Sequence, residues 1–142
     1  MPETSEQIAD QLHSAAIHLL RRIRLEDSAS GLTAPRLSAL SVVVHAGPLS
    51  MTDLAAAEQI QAPSMTRLVA SLERLGLIAR KIDPADGRRV MVRATKQGKV
   101  VLQTGKRRRI LTLAKRISSL TSRDAACLAQ AAKIMESLAR DL

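Results

Sequence analysis

Apolar and polar positions recur along this chain with two different periods, and the changes of period mark out its elements. Over residues 5–27, Ile8, Leu12, Ala15 and Leu19 step by four, three and four, with Ala16 and Ile23 beside them. That spacing predicts a helix with one apolar stripe, and so regular a stripe calls for a partner helix. Residues 28–32, around Gly31, read as a loop. Thr33 is placed to cap a second helix, with Pro35 in its first turn, Leu37, Leu40, Val43 and Val44 as its apolar positions, and Gly47-Pro48 closing it. Ser50 reads as the N-cap of a short third helix ending near Glu58. Asp53 stands three residues on for the reciprocal capping bond, and Leu49 and Leu54 are spaced as a hydrophobic staple. After a turn at 59–62, a fourth helix carries Ala62, Met65, Leu68, Val69, Leu72 and Leu75 on one face, with Pro63 in its first turn and Gly76 past its end. Its other face carries Ser64, Thr66, Arg67, Ser71 and Arg74.

The period then drops to two. Residues 77–82 predict a strand, residues 83–87 (Asp-Pro-Ala-Asp-Gly) a turn, and residues 89–93 a return strand, with Arg88 near the tip. Thr95 caps a long helix running to about Ser118, in which Lys106-Arg107-Arg108-Arg109 interrupts the apolar positions. A last helix follows Thr121, where Leu128, Ala131, Met135, Leu138 and Leu142 step by three, four, three and four. The regular seams at both termini predict a homodimer built from the first, fifth and sixth helices; packing within one chain is the alternative. The fold class expected is mainly α (α+β). A winged helix-turn-helix unit spans 33–95, an N-terminal dimerisation helix lies within 1–32, and C-terminal helices at 96–142 complete the interface.

Composition narrows the function. The net charge is +9 and the pI about 11.0, which points to a polyanionic partner. Residues 96–116 hold eight basic groups and no acid, and so supply nearly all of the excess. Phe, Tyr and Trp are absent, which removes the stacking platforms usual in single-strand binders. Cys127 is the one cysteine, so no intramolecular disulfide or cysteine-based metal cluster can form. No apolar run reaches the ~20 residues of a membrane helix, and the polar, acidic N-terminus is no signal peptide. A cytoplasmic, nucleoid-associated protein without cofactor or metal is expected. An enzyme is disfavoured: there is no clustered metal-ligand set, glycine-rich phosphate loop or nucleophile with a paired base.

Taken alone, the helix over 61–76 is as readily an ordinary amphipathic surface helix as a DNA reader; for the hairpin tip, a solvated turn is the lesser alternative. Their order decides between these. A capped short helix, a tight turn, an amphipathic helix and a basic hairpin make the layout of a winged helix-turn-helix, which lays its second helix in a major groove. Gln61, Ser64, Thr66 and Arg67 would then meet bases or adjacent phosphates. Arg67 is the strongest base reader, because a guanidinium can bond guanine O6 and N7 together. Arg74, Arg80, Arg89 and Arg93 would serve phosphates, and Arg88 would enter the flanking minor groove. Asp86 is expected to orient Arg88 by ion pairing and to shape the turn.

The same residues resemble the MarR family of transcriptional regulators. Leu32-Thr33 with Pro35 and Leu37, and Gly47-Pro48-Leu49 with Asp53-Leu54-Ala55, are similar to the entries to the family's second and third helices, and Pro63 to Val69 with Leu72 to Ile78 to its recognition helix and first strand. Asp83 to Val90 looks like its wing, with an Asp-x-Arg at Asp86 and Arg88, and Thr95-Lys96-Gln97-Gly98 like the opening of its fifth helix. The likeness is densest over 32–98. It departs from the family at Gln61, where many relatives have Ser or Asp. Gln61 caps a helix poorly and is therefore available to DNA. It implies a repressor on double-stranded DNA with a pseudopalindromic operator, relieved by a small, often aromatic acid lodged near helices one, two and five. His13, Arg21, His45 and the 106–109 run are the candidate carboxylate partners there. Relatives that sense peroxide place their cysteine near the N-terminus, so Cys127 implies no such role and is expected to be a buried, apolar thiol. The competing reading is a less specific, architectural DNA-binding protein, supported by the charge of 96–116. An amphipathic membrane-surface helix at 96–117 lacks the Trp or Phe that would anchor it.

Overall fold

Short helices gain most of their stability by burying an apolar face against other elements. In the computed structural model, which describes residues 1–142, that burial is concentrated in the middle of the chain. Ala39, Leu40 and Val43 of α2 (Ala34–Ala46), Leu54 of α3 (Met51–Glu58) and Met65, Val69 and Leu72 of α4 (Ala62–Arg74) form one core. Leu77, Ile78 of β2 (Ile78–Ile82) and Val92 of β3 (Val90–Ala94) close it from the sheet side. Full burial of one such side chain contributes about 1.5–3 kcal/mol. These ten residues therefore hold the two helices of the helix-turn-helix and the root of the hairpin as one body.

The N-terminal helix, α1 (Ser5–Ile23), starts at a reciprocal cap in which Thr4 and Gln7 each accept the other's backbone N–H. It gives way at Arg24 to a 3₁₀ helix, Arg24–Ser30, so residues 28–30 are helical rather than loop; Gly31, at φ +72°, ends it. The long helix α5 (Lys96–Ile117) packs on the 3₁₀ helix, on α2 and on α1, and α6 (Ser122–Asp141) follows after a turn. Neither α1 nor α6 has a buried residue: Ile8, Leu19, Leu128 and Leu138 all stand exposed. No helix is long and apolar enough to cross a membrane.

Several local expectations are corrected. A third strand exists, because Leu49–Ser50 (β1) pairs antiparallel with Val92 and Met91 of β3, giving the order β1-β3-β2. Two residues are too few for a period-2 pattern to show. Ser50 caps α3 by accepting from the Asp53 N–H at 3.0 Å, but Asp53 does not return the bond; its carboxylate lies 3.8 Å from Arg89. Thr33 holds the N-cap position of α2 without a side-chain capping bond. On α4, Leu75 lies outside the core and is exposed, whereas Ser71, assigned by periodicity to the outer face, is 8% exposed. Helix α4 ends at Arg74, and Leu75 takes the bend into Gly76, at φ +73°, so the periodicity overran the helix. Cys127 is exposed on α6 rather than buried.

Candidate nucleic-acid interface

Helix α4 begins at Gln61, whose side chain makes no capping bond, so its amide is free of the helix as its poor capping propensity predicts. Met65, Val69 and Leu72 bind the helix to the core, which leaves Gln61, Ser64, Thr66, Arg67 and Arg74 exposed along the outer side. The Thr66 hydroxyl donates to the Ala62 carbonyl at 3.0 Å, and so meets a ligand mainly as an acceptor. Arg67 and Arg74 lie two turns apart, and neither has a carboxylate within ion-pairing distance. The outer side of the helix therefore presents positive charge together with hydroxyl and amide groups that can accept as well as donate.

The hairpin is fixed at its root and ordered at its tip. Thr95 ties the root together. Its hydroxyl donates to the Gly76 carbonyl at 2.6 Å and accepts from the Gly98 N–H at 3.1 Å, while its own N–H donates to Leu77 O at 3.0 Å. A methyl group on Gly98 would strike the Leu77 carbonyl and come within 3.2 Å of Leu40 Cδ1, so only glycine allows α5 to start this close. At the tip, Asp83 Oδ1 accepts from Ala85 N at 2.9 Å and Asp86 Oδ1 from Arg88 N at 3.0 Å. Asp86 thus shapes the turn through the Arg88 backbone, not by pairing with its guanidinium as expected. The Arg88 side chain is exposed and has no acidic partner.

The register Arg80↔Val92 and Ala79↔Arg93 places Arg80 on the same sheet face as buried Val92, and Arg93 and Lys81 on the other. Arg80 therefore reaches back to α4. Glu73 accepts from its guanidinium at 2.9 Å and from its backbone N–H at 3.1 Å. The side-chain bond, then the backbone bond, holds the Glu73 carboxyl below its ordinary value of 4.5, and the side-chain bond raises Arg80. Arg80 was expected to serve a phosphate, but it already has a carboxylate and braces α4 against the wing. Arg89 keeps a looser partner in Asp53 at 3.8 Å, and Arg93 is exposed without one.

A residue that periodicity did not single out joins this surface. Arg36, in the first turn of α2, donates from Nε to Ser71 Oγ at 3.1 Å. The two are 35 positions apart, and only the crossing of α2 and α4 brings them together.

The residues expected to bind an acid are not brought together. His13, Arg21 and His45 lie outside the cleft beside Arg109, and His45 Nδ1 is engaged by the Ser41 carbonyl at 2.8 Å. That cleft, about 740 Å³, opens between the 3₁₀ helix, α2 and α5, and includes Arg24, Asp27, Leu37, Ile60, Leu102 and Arg109. Of the 106–109 run only Arg109 lines it, bonded to Asp27 at 3.1 Å.

Comparison with known proteins agrees with this geometry. Residues 30–89 match a model of the MarR family. An HTH-type transcriptional regulator of Mycobacterium bovis is 32% identical over 138 residues, covering 97% of this chain and 96% of its own. Among solved structures, a transcriptional regulator of Thermotoga maritima superposes with a TM-score of 0.84 at 21% identity, over 96% of both chains. A mutant of MepR from Staphylococcus aureus, bound to an oligodeoxyribonucleotide, superposes with a TM-score of 0.72 at 20% identity, over 96% of this chain and 99% of that one. At these identities the superpositions establish the fold.

Proposed function

This chain belongs to the MarR family, and from that premise we propose that it is a homodimeric, sequence-specific repressor acting on double-stranded DNA in the cytoplasm. One observation carries the reading. The outer side of α4 is free of the core and presents Arg67 and Arg74 without carboxylate partners, beside a wing whose Arg88 is equally unpaired. Gln61, Ser64, Thr66 and Arg67 read bases or adjacent phosphates in the major groove. Arg74, Arg89 and Arg93 grip phosphates, and Arg88 enters the minor groove. The MepR mutant with its oligodeoxyribonucleotide supports such use of the fold. The exposed apolar faces of α1 and α6 support pairing of two copies, and with it a pseudopalindromic operator whose half-sites lie about 34 Å apart.

The cleft beside Arg109 supports relief by a small anionic effector that competes with Asp27 for the guanidinium. A ligand that fits the cleft in only one spacing of the recognition helices shifts the population away from the DNA-bound form. Calorimetry with a panel of phenolic acids tests this part, and no heat at millimolar concentrations rejects it. The DNA reading is tested by selecting duplexes from a random pool and footprinting the winners. Defined, two-fold protected half-sites are expected. Uniform protection with no enriched sequence would instead identify an architectural DNA-coating protein, which the eight basic groups of 96–116 would suit.

A further inference from the structure

Arg80, Arg89 and Arg109 each face a carboxylate. Arg36, Arg67 and Arg74 face none, yet all three line one cleft of about 510 Å³ between the first turn of α2 and the outer side of α4. No acidic residue lines that cleft. Three guanidinium groups gathered without a counter-charge repel one another and set up a positive potential that an anion would relieve.

The cleft is also ordered. Ser71 Oγ donates its proton to the Leu68 carbonyl at 2.7 Å, which turns a lone pair toward Arg36 Nε at 3.1 Å. With Ser71 only 8% exposed, that acceptor is held in place. The Nε bond aims the guanidinium and leaves its two terminal nitrogens without partners in the protein. The Thr33 hydroxyl, also lining the cleft, makes no capping bond, and the first turn of α2 holds no acid, so the positive end of that helix dipole is uncompensated there.

We propose that this cleft holds one phosphate of the DNA backbone at the rim of the major groove, gripped by Arg36 and Arg74, with Ser71 as the residue that positions Arg36. The assignment rests on the reading of α4 as the recognition helix. Arg67, nearer the start of α4, reaches the floor of the groove. Arg36 thereby sets how α2 sits on the backbone, and so fixes the depth and register at which α4 reads bases.

The test uses the full chain and a duplex it selects from a random pool. Single phosphates are replaced in turn by neutral methylphosphonates, and affinity is followed by anisotropy for the parent, Arg36→Ala, Arg36→Lys, Ser71→Ala and the Arg36→Ala/Ser71→Ala double variant. One position per half-site should cost the parent about tenfold or more, the scale of a hydrogen bond to a charged group, and cost Arg36→Ala clearly less, only the Arg74 contact being left to lose. The Arg36→Ala salt slope should fall by roughly 0.9 per subunit, and Arg36→Lys should keep the parent's slope while losing affinity. Ser71→Ala should weaken the parent and add nothing in the double variant. Equal costs at every position for parent and Arg36→Ala would overturn the proposal. So would parent-like affinity and salt slope in Arg36→Ala, or binding of inorganic phosphate that Arg36→Ala loses with no position-specific effect on DNA, which would make this a free-anion site. If no duplex is enriched at all, the sequence-specific reading fails first and the cleft's assignment with it.

Discussion

Arg67 and Glu73 sit six residues apart on one helix and have opposite work to do. Arg67 is unpaired and exposed, so its guanidinium is available for a bidentate contact worth about 1–3 kcal/mol of discrimination. Arg67→Ala should therefore lose roughly 5- to 150-fold in the ratio of selected to random DNA binding, measured by competition, with little change in melting temperature. Glu73 acts within the protein. Its carboxyl is held below 4.5 by Arg80, so its stabilising contribution is present above that pH and disappears as pH falls through the depressed folded-state value. Both partners are about one-third exposed, and solvent screens the pair. Glu73→Gln should lower the melting temperature slightly at neutral pH, and the gap from the parent should close on acidification below 4.5. A gap that widened with acid would contradict this account.

Between residue and domain, the decisive contacts are where elements meet. Gly98→Ala gains about 1 kcal/mol of helix propensity, but its methyl would strike the Leu77 carbonyl, and a backbone atom cannot swing aside. Overpacking of this kind costs about 1–3 kcal/mol, so urea denaturation should show a net loss. Gly105→Ala, in the same helix with nothing within 4 Å of the added carbon, should show a gain. The elements themselves were largely legible. Capping serines and threonines, prolines in first turns and the switch of period placed α2 to α5 and the hairpin within a few residues. What escaped depended on contacts between distant parts of the chain. The strand β1 exists only because Leu49 and Ser50 meet β3. Ser71 looked like an outer residue because its burial comes from the crossing of α2, and Arg36 gave no signal for the same reason. Arg80 looked free because pairing with Glu73 depends on which way the wing folds back. Acidic partners of this sort carry no periodic signature.

At the scale of the whole molecule, the single chain leaves α1 and α6 with their apolar faces in water. Their regular three-and-four seams were visible in the sequence; what they pack against was not, since a seam has the same pattern whether its partner is in the same chain or another. Replacing Leu128 and Leu138 together by Glu should convert a dimer to monomer in sedimentation velocity while the circular dichroism of the central domain persists. Affinity for a two-half-site duplex should fall steeply, because binding through one half-site forfeits the local concentration supplied by the other. A variant that remained dimeric would place the interface elsewhere.

The bonds that Thr95 makes to Gly76, Leu77 and Gly98 have a mechanical consequence. They weld the first turn of α5 to the end of α4 and the root of the hairpin, so none of the three can swing without the others. Helix α5 is then a rigid lever whose near end carries α4 and the hairpin. Its 22 residues span about 33 Å at 1.5 Å each, so a displacement of roughly 3 Å at the far end is a tilt of about 5°. In the proposed dimer, the near end would convert that tilt into a change in how far apart the two copies of α4 stand.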